Sequence, residues 1–164
     1  MDRRSLLSTL AAMAASAIAA LLALPSLLYL LSPLRRREAQ EEWIDLGALD
    51  SLPDRIPVLI PYEVRIVDGW ARRTVAASAW VSRRGAGAAV WSSTCPHLGC
   101  AVRYLRENAR FACPCHASAF GADGQRLAGP SPRDLDPLPL RIEGGRLHVR
   151  HVAYRPGGRE RVPA

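Results

Sequence analysis

The stretches Cys95-Pro-His-Leu-Gly-Cys100 and Cys113-Pro-Cys-His-Ala-Ser118 hold all four cysteines of this 164-residue chain and two of its four histidines. Thiolate and imidazole bind zinc and iron well, and paired thiols also form disulfides in an oxidising compartment. Three chemistries are therefore open: two disulfides, a zinc site or an iron–sulfur centre. Zinc ligands usually come as C-x-x-C-like pairs. Here the pairs are Cys95-x-His97, too short for the usual zinc hairpin, and Cys113-x-x-His116, with Cys100 and Cys115 left over. If each stretch is a loop bringing two ligands to one centre, the two thiolates hold one iron and the two imidazoles the other. A catalytic thiol fits less well, because the cysteines come as two paired loops rather than singly.

The elements that must position these loops read as β-strands. Apolar runs punctuated by Gly and Pro cover Val58 to Ile60, Glu63 to Val67, Thr74 to Val81, Ala88 to Ser92, Val102 to Leu105, Arg110 to Ala112, Leu138 to Ile142 and Leu147 to Val152. Short strands at this spacing predict an all-β domain. Glu143-Gly-Gly-Arg146 predicts a tight hairpin turn between the last two runs. Trp43 to Asp50 opens the globular part. His148 and His151 lie on the last run, where structural or exposed histidines are expected.

The N-terminal part is of another kind. No charged side chain occurs from Ser5 to Leu34, a run of 30 residues rich in Ala and Leu. Spanning a bilayer takes roughly 20 apolar residues as a helix. Pro25 is tolerable inside a membrane helix, and Pro33 is placed to end it. Asp2-Arg3-Arg4-Ser5-Leu6-Leu7 resembles a twin-arginine export signal. Ala15-Ser-Ala17 offers a cleavage site, but the apolar run continues well beyond it, which favours a retained anchor. The expected arrangement is a single-pass protein of a bacterial inner membrane, N-terminus inside and globular domain outside. Residues 1–34 form the anchor, 35–42 a charged connector or hinge, 43–155 the β domain and 156–164 a polar tail. The +7 balance comes from arginines spread along the chain without a recognition pattern, so nucleic acid is set aside as a partner.

The two loops are similar to those of the Rieske [2Fe–2S] subunit of cytochrome bc-type quinol–cytochrome c reductases. That family pattern is Cys-Thr/Pro-His-Leu-Gly-Cys, then Cys-Pro-Cys-His-Gly-Ser, then a Gly-Pro-rich loop, matched here by Gly129-Pro-Ser-Pro132. The resemblance implies antiparallel sheets with a small cluster-binding subdomain at about residues 93–133. It implies that Cys95 and Cys113 ligate one iron, His97 and His116 the other, and that Cys100 and Cys115 form a disulfide tying the loops together. Leu98 would be an apolar lid over the cluster. Gly129 to Pro132 would cover its other side. His116 would accept a hydrogen bond from a membrane quinol, ubiquinol or menaquinol. The electron would pass to a c-type cytochrome in a complex with a cytochrome b subunit. Rieske centres of ring-hydroxylating oxygenases generally lack the disulfide, so the extra cysteine pair points to the quinol-oxidising branch. The nearest alternative is the Rieske small subunit of a periplasmic molybdenum oxidase such as arsenite oxidase; a structural zinc module is more remote.

Two positions depart from the pattern. Hydrogen bonds to cluster sulfurs raise the reduction potential. Ser118 can supply one, but the expected tyrosine two residues on is Phe120, which predicts a potential below that of tyrosine-bearing relatives. Ala117 replaces a glycine, which would be strained if that position needs positive φ; an accommodating local backbone is expected instead.

Overall fold

In a computed structural model, residues 2–31, 42–68 and 71–164 are described. The expected helix stop at Pro33, and the connector 35–42 apart from Glu42, lie outside the described residues.

Helix α1 spans Arg3–Leu31, with Pro25 inside it and no buried residue. It is long and apolar enough to cross a membrane. At about 1.5 Å rise per residue, its 29 residues reach about 43 Å, more than the hydrocarbon core of a bilayer. Leu, Ala and Met favour helix, and the run carries no internal charge that would have to be buried in lipid.

The rest of the described chain is a β domain of ten strands: β1 (Trp43–Ala48), β2 (Val58–Asp68), β3 (Ala71–Arg84), β4 (Gly87–Ser92), β5 (Arg103–Leu105), β6 (Arg110–Ala112), β7 (Ala119–Gly121), β8 (Arg126–Ala128), β9 (Leu140–Glu143) and β10 (Arg146–Arg150). They form three sheets, ordered β1-β10-β9, β2-β3-β4 and β5-β6-β7-β8. The all-β reading therefore holds, with one N-terminal helix. The Glu143–Arg146 turn is present: β9 and β10 pair antiparallel around Gly144 and Gly145, both at positive φ. Such a two-residue turn needs left-handed backbone at both central positions, which glycine supplies without strain.

Two sequence boundaries shift. The two runs on either side of Pro61 are one strand, β2. As the outer strand of its sheet, β2 can present the residue lacking an N–H to the open side. Strands β7 and β8 are only three residues each, too short to show any alternation.

The middle sheet separates two cores. Successive side chains on a strand point to opposite faces. On β3, Trp80 joins a cluster with Trp91, Cys95, Val102, Phe111, Cys113, Phe120 and Leu135. Its neighbours Ala79 and Val81 join Val90, Leu138, Leu147, Val149 and Tyr62 instead. Strand β4 divides in the same way, Trp91 to one side and Val90 to the other. The second cluster is an ordinary β core; the first contains two free cysteines. His151 is structural, as expected: its Nδ1 and the Tyr62 hydroxyl share a hydrogen bond at 2.9 Å. Burial lowers the His151 pKa and pushes the Tyr62 phenol up to about 12. His148 lies half-buried on β10, and its Nδ1 has no hydrogen-bond partner.

Candidate metal centre

The two cysteine–histidine stretches are the loops that join β4 to β5 and β6 to β7. Each closes in the same way. The Cys95 N–H donates to the Cys100 carbonyl at 2.7 Å, and the Cys113 N–H donates to the Ser118 carbonyl at 2.8 Å. In both, the bond joins the first and sixth residues. The fifth residue is left-handed in each, Gly99 at φ +83° and Ala117 at φ +55°. The glycine expected at Ala117 is thus replaced at a position that does adopt positive φ, and the accommodating backbone expected there is not found. A left-handed alanine costs about 1–2 kcal/mol, because Cβ crowds the following carbonyl.

This folding sends the first cysteine of each loop inward and residues 98–99 and 114–117 outward. Cys95 and Cys113 are 0% and 4% exposed, both free thiols within the aromatic cluster. His97 is half-buried, and His116 is exposed. The two imidazole rings meet edge to face with centroids 4.8 Å apart. Leu98, which follows His97 in the first loop, is 61% exposed. Cys100 and Cys115 are disulfide-bonded, joining the tips of the two loops. Their sulfurs lie within 4.8 Å of the Cys113 sulfur. A disulfide has no thiolate to offer, so this trio is a brace beside a free thiol and not a donor set.

A third loop backs the second. The Ser131 N–H donates to the Ser118 hydroxyl oxygen at 3.1 Å, and the Ser131 hydroxyl donates to the Arg133 carbonyl at 2.8 Å. Gly129 (φ +87°) passes so close to Ser118 that a Cβ there would lie 2.7 Å from the Ala117 carbonyl oxygen. Only glycine allows that approach. Ser118, having accepted from Ser131, keeps its own proton for the Cys95 sulfur, beside which it sits. Phe120 is fully buried in the cluster that contains both free cysteines, paired across the strands with Phe111.

Burial pushes the Cys95 thiol above its ordinary range. The His97 backbone N–H, which hydrogen-bonds the sulfur, opposes the rise, the adjacent Cys113 adds to it, and Ser118 opposes it again. Two thiols side by side in an apolar pocket are an unfavourable place for two bare negative charges. They become favourable ligands once a cation neutralises them. His97 Nδ1 is buried with no hydrogen-bond partner, which an uncompensated imidazole nitrogen would rarely tolerate. Two buried thiols, an orphaned buried imidazole nitrogen and a second imidazole at 4.8 Å make a two-sulfur, two-nitrogen donor set.

Residues 62–139 match the family model described as the Rieske [2Fe-2S] domain. These residues form a Rieske [2Fe-2S] domain. The matched span takes in all three loops and six of the ten strands in full, β3 to β8. Rieske proteins carry one [2Fe–2S] cluster, and the donor set above fits it in number and kind. Among curated proteins, the chain is 26% identical over 125 residues to the menaquinol:cytochrome c reductase iron-sulfur subunit of Bacillus subtilis, a match covering 74% of each chain. It is 25% identical to the cytochrome b6-f complex iron-sulfur subunit of Chlorobaculum thiosulfatiphilum, over 74% of this chain and 60% of that one. Among solved structures, the plasma membrane Rieske protein of Synechocystis PCC 6803 aligns with a TM-score of 0.46 and 24% identity, covering 66% of this chain and 99% of that one.

Sequence reasoning missed one set of residues. Arg133, Asp136 and the segment from Arg155 to Arg161 are bonded to one another next to the first loop. The only hint was the Arg-Asp-Leu-Asp order after Pro132, which an ordinary exposed turn would share.

Proposed function

We propose that this protein is the Rieske subunit of a membrane-anchored quinol–cytochrome c oxidoreductase, with Cys95, Cys113, His97 and His116 holding the cluster. The observation that carries this reading is the Cys100–Cys115 disulfide between the two cluster loops. By the resemblance stated above, that bridge marks the quinol-oxidising branch, and of the two curated relatives named above one is a menaquinol:cytochrome c reductase subunit and the other a cytochrome b6-f complex subunit. This supports the quinol branch over a molybdenum-oxidase small subunit.

When bound, the cluster supplies a one-electron acceptor whose imidazole ligands replace two thiolates and so raise its potential. The chain's own residues do the rest. His116, exposed at the loop tip, offers its outer nitrogen to a quinol hydroxyl and takes up the proton. His97 is the partly covered second imidazole. Leu98 stands beside them as an exposed apolar surface that keeps water from a docked quinone ring. The disulfide and the third loop hold these groups still. Helix α1 is the anchor, with its N-terminus in the cytoplasm and the β domain on the outer face, where a c-type cytochrome receives the electron and a cytochrome b subunit completes the quinol site. Phe120 has no hydroxyl to give a cluster sulfur, which suits a low-potential quinol such as menaquinol.

The test is menaquinol- and ubiquinol-driven cytochrome c reduction in native membranes with and without this chain. Turnover that requires the chain, runs better with menaquinol and disappears in His116→Ala supports the reading. Undiminished quinol oxidation in its absence sinks it.

A further inference from the structure

The C-terminal segment reaches the first cluster loop. The Gly157 N–H donates to the Pro96 carbonyl at 2.8 Å. Pro96 is among the most deeply buried residues of the domain, next to Cys95. Its carbonyl belongs to the peptide unit whose N–H is that of His97, and that N–H hydrogen-bonds the Cys95 sulfur. The two bonds are therefore in series through one peptide group: Gly157 N–H to Pro96 C=O, then His97 N–H to sulfur. A donor on the carbonyl polarises the peptide and makes its N–H a stronger donor, by roughly 10–30% per bond.

A built clamp holds the segment there. Arg133 Nε and Nη2 donate to the two carboxylate oxygens of Asp136, each at 2.8 Å. The same guanidinium donates from Nη2 to the Arg155 carbonyl at 3.0 Å and from Nη1 to the Gly158 carbonyl. It thus grips the chain on both sides of Gly157. Arg161 adds a second cation on Asp136 at 3.3 Å. The Arg133 and Asp136 side chains are each 5% exposed. A buried ion pair is worth keeping only when its remaining hydrogen-bonding capacity is met, as it is here by the two carbonyls. Gly157 at φ +85° takes a conformation that a side chain would strain.

We propose that residues 155–161 are a tuning strap: Arg133 and Asp136 are positioning residues that hold the Gly157 N–H on the Pro96 carbonyl, strengthening the His97 N–H bond to the Cys95 sulfur and so raising the reduction potential of the centre. Hydrogen bonds to cluster sulfurs shift potential in this direction. The inference rests on Cys95 being a cluster ligand.

The test uses the full-length protein with its cluster, in detergent, and two variants. One carries glycolate in place of Gly157, which turns a single amide into an ester and deletes only that N–H. The other is Arg133→Lys, which keeps the charge but loses the fork that reaches both carbonyls. Redox titration followed by electron paramagnetic resonance reads the potential, and calorimetry reads Tm. For the ester, the oxidised-to-reduced ratio at fixed poise should rise about threefold, which is about 28 mV at 59 mV per decade for one electron. Arg133→Lys should move the potential the same way by less. An unchanged potential in the ester variant overturns the proposal, as does a lower Tm in both variants with no shift in potential. If the ester variant fails to assemble, Arg133→Lys decides on the same readout. A Cys95→Ser protein that keeps its Rieske signal would instead overturn the ligand assignment beneath the proposal.

Discussion

The two cluster loops are near copies in backbone and opposites in surroundings. Each closes with a bond from its first N–H to its sixth carbonyl, and each turns through a left-handed fifth residue. Yet in the first loop Cys95 and Pro96 are buried and His97 half-buried, while in the second Pro114, Cys115 and His116 are all exposed. The first loop is backed by the C-terminal segment through Gly157, the second by the third loop through Ser131 and Gly129. A local motif can thus place a cysteine–histidine pair, but which histidine is exposed is decided by what packs behind each loop. The first loop supports; the second presents.

The largest expected effect removes the element the loops share. Cys95→Ser and Cys113→Ser should each abolish the reduced-state paramagnetic signal and the visible absorption entirely, because under the proposed assignment each takes one of two thiolates from the same iron. Equal loss in both would show the loops equivalent at this level, and survival of the signal in either would break the comparison.

Next comes the bridge between them. A paired Cys100→Ala, Cys115→Ala variant should lose about 3 kcal/mol of stability, the order expected for a disulfide closing a loop of 15 residues. Chemical denaturation of the cluster-loaded protein checks this, and a loss well under 1 kcal/mol would show the backing segments sufficient to hold the loops alone.

Phe120→Tyr should raise the midpoint potential, by placing a hydroxyl in the buried cluster that holds both free cysteines. Because Phe120 is 0% exposed, the added oxygen should also cost about 1–3 kcal/mol of overpacking. A redox titration in which the potential stays put would show that position 120 only fills space.

The smallest effect sharpens the likeness of the loops. Ala117→Gly would make the second loop match Gly99 of the first. Relief of about 1–2 kcal/mol of left-handed strain is partly offset by about 0.4–1 kcal/mol of added unfolded-state entropy. A gain in stability of up to about 1 kcal/mol is expected from urea unfolding, and a net loss would show the alanine unstrained.

Much of the site was legible in the order of residues because its chemistry is local. Cys95-Pro-His and Cys113-Pro-Cys-His put each proposed ligand pair within four residues, and Glu143-Gly-Gly-Arg146 announces its hairpin by a backbone requirement that only glycine meets cheaply. Strands β7 and β8 were not among the runs read from the sequence, and Pro61 disguised a continuous edge strand as two. The Arg133 clamp escaped for a different reason: its partners lie 22 and 25 residues away, and no local pattern encodes a long-range bond to a carbonyl.

By itself the sequence determined the kind of donors, their pairing within each loop, the β class of the domain and the apolar helix, since all of these follow from residue type and short spacing. Only the tertiary structure decided that Cys95 and Cys113 are dry while His116 is wet, that Cys100 meets Cys115, and that the C-terminal segment rests on Pro96. Burial and long-range hydrogen bonds depend on which surfaces pack together, and packing joins residues that the order of the chain keeps far apart.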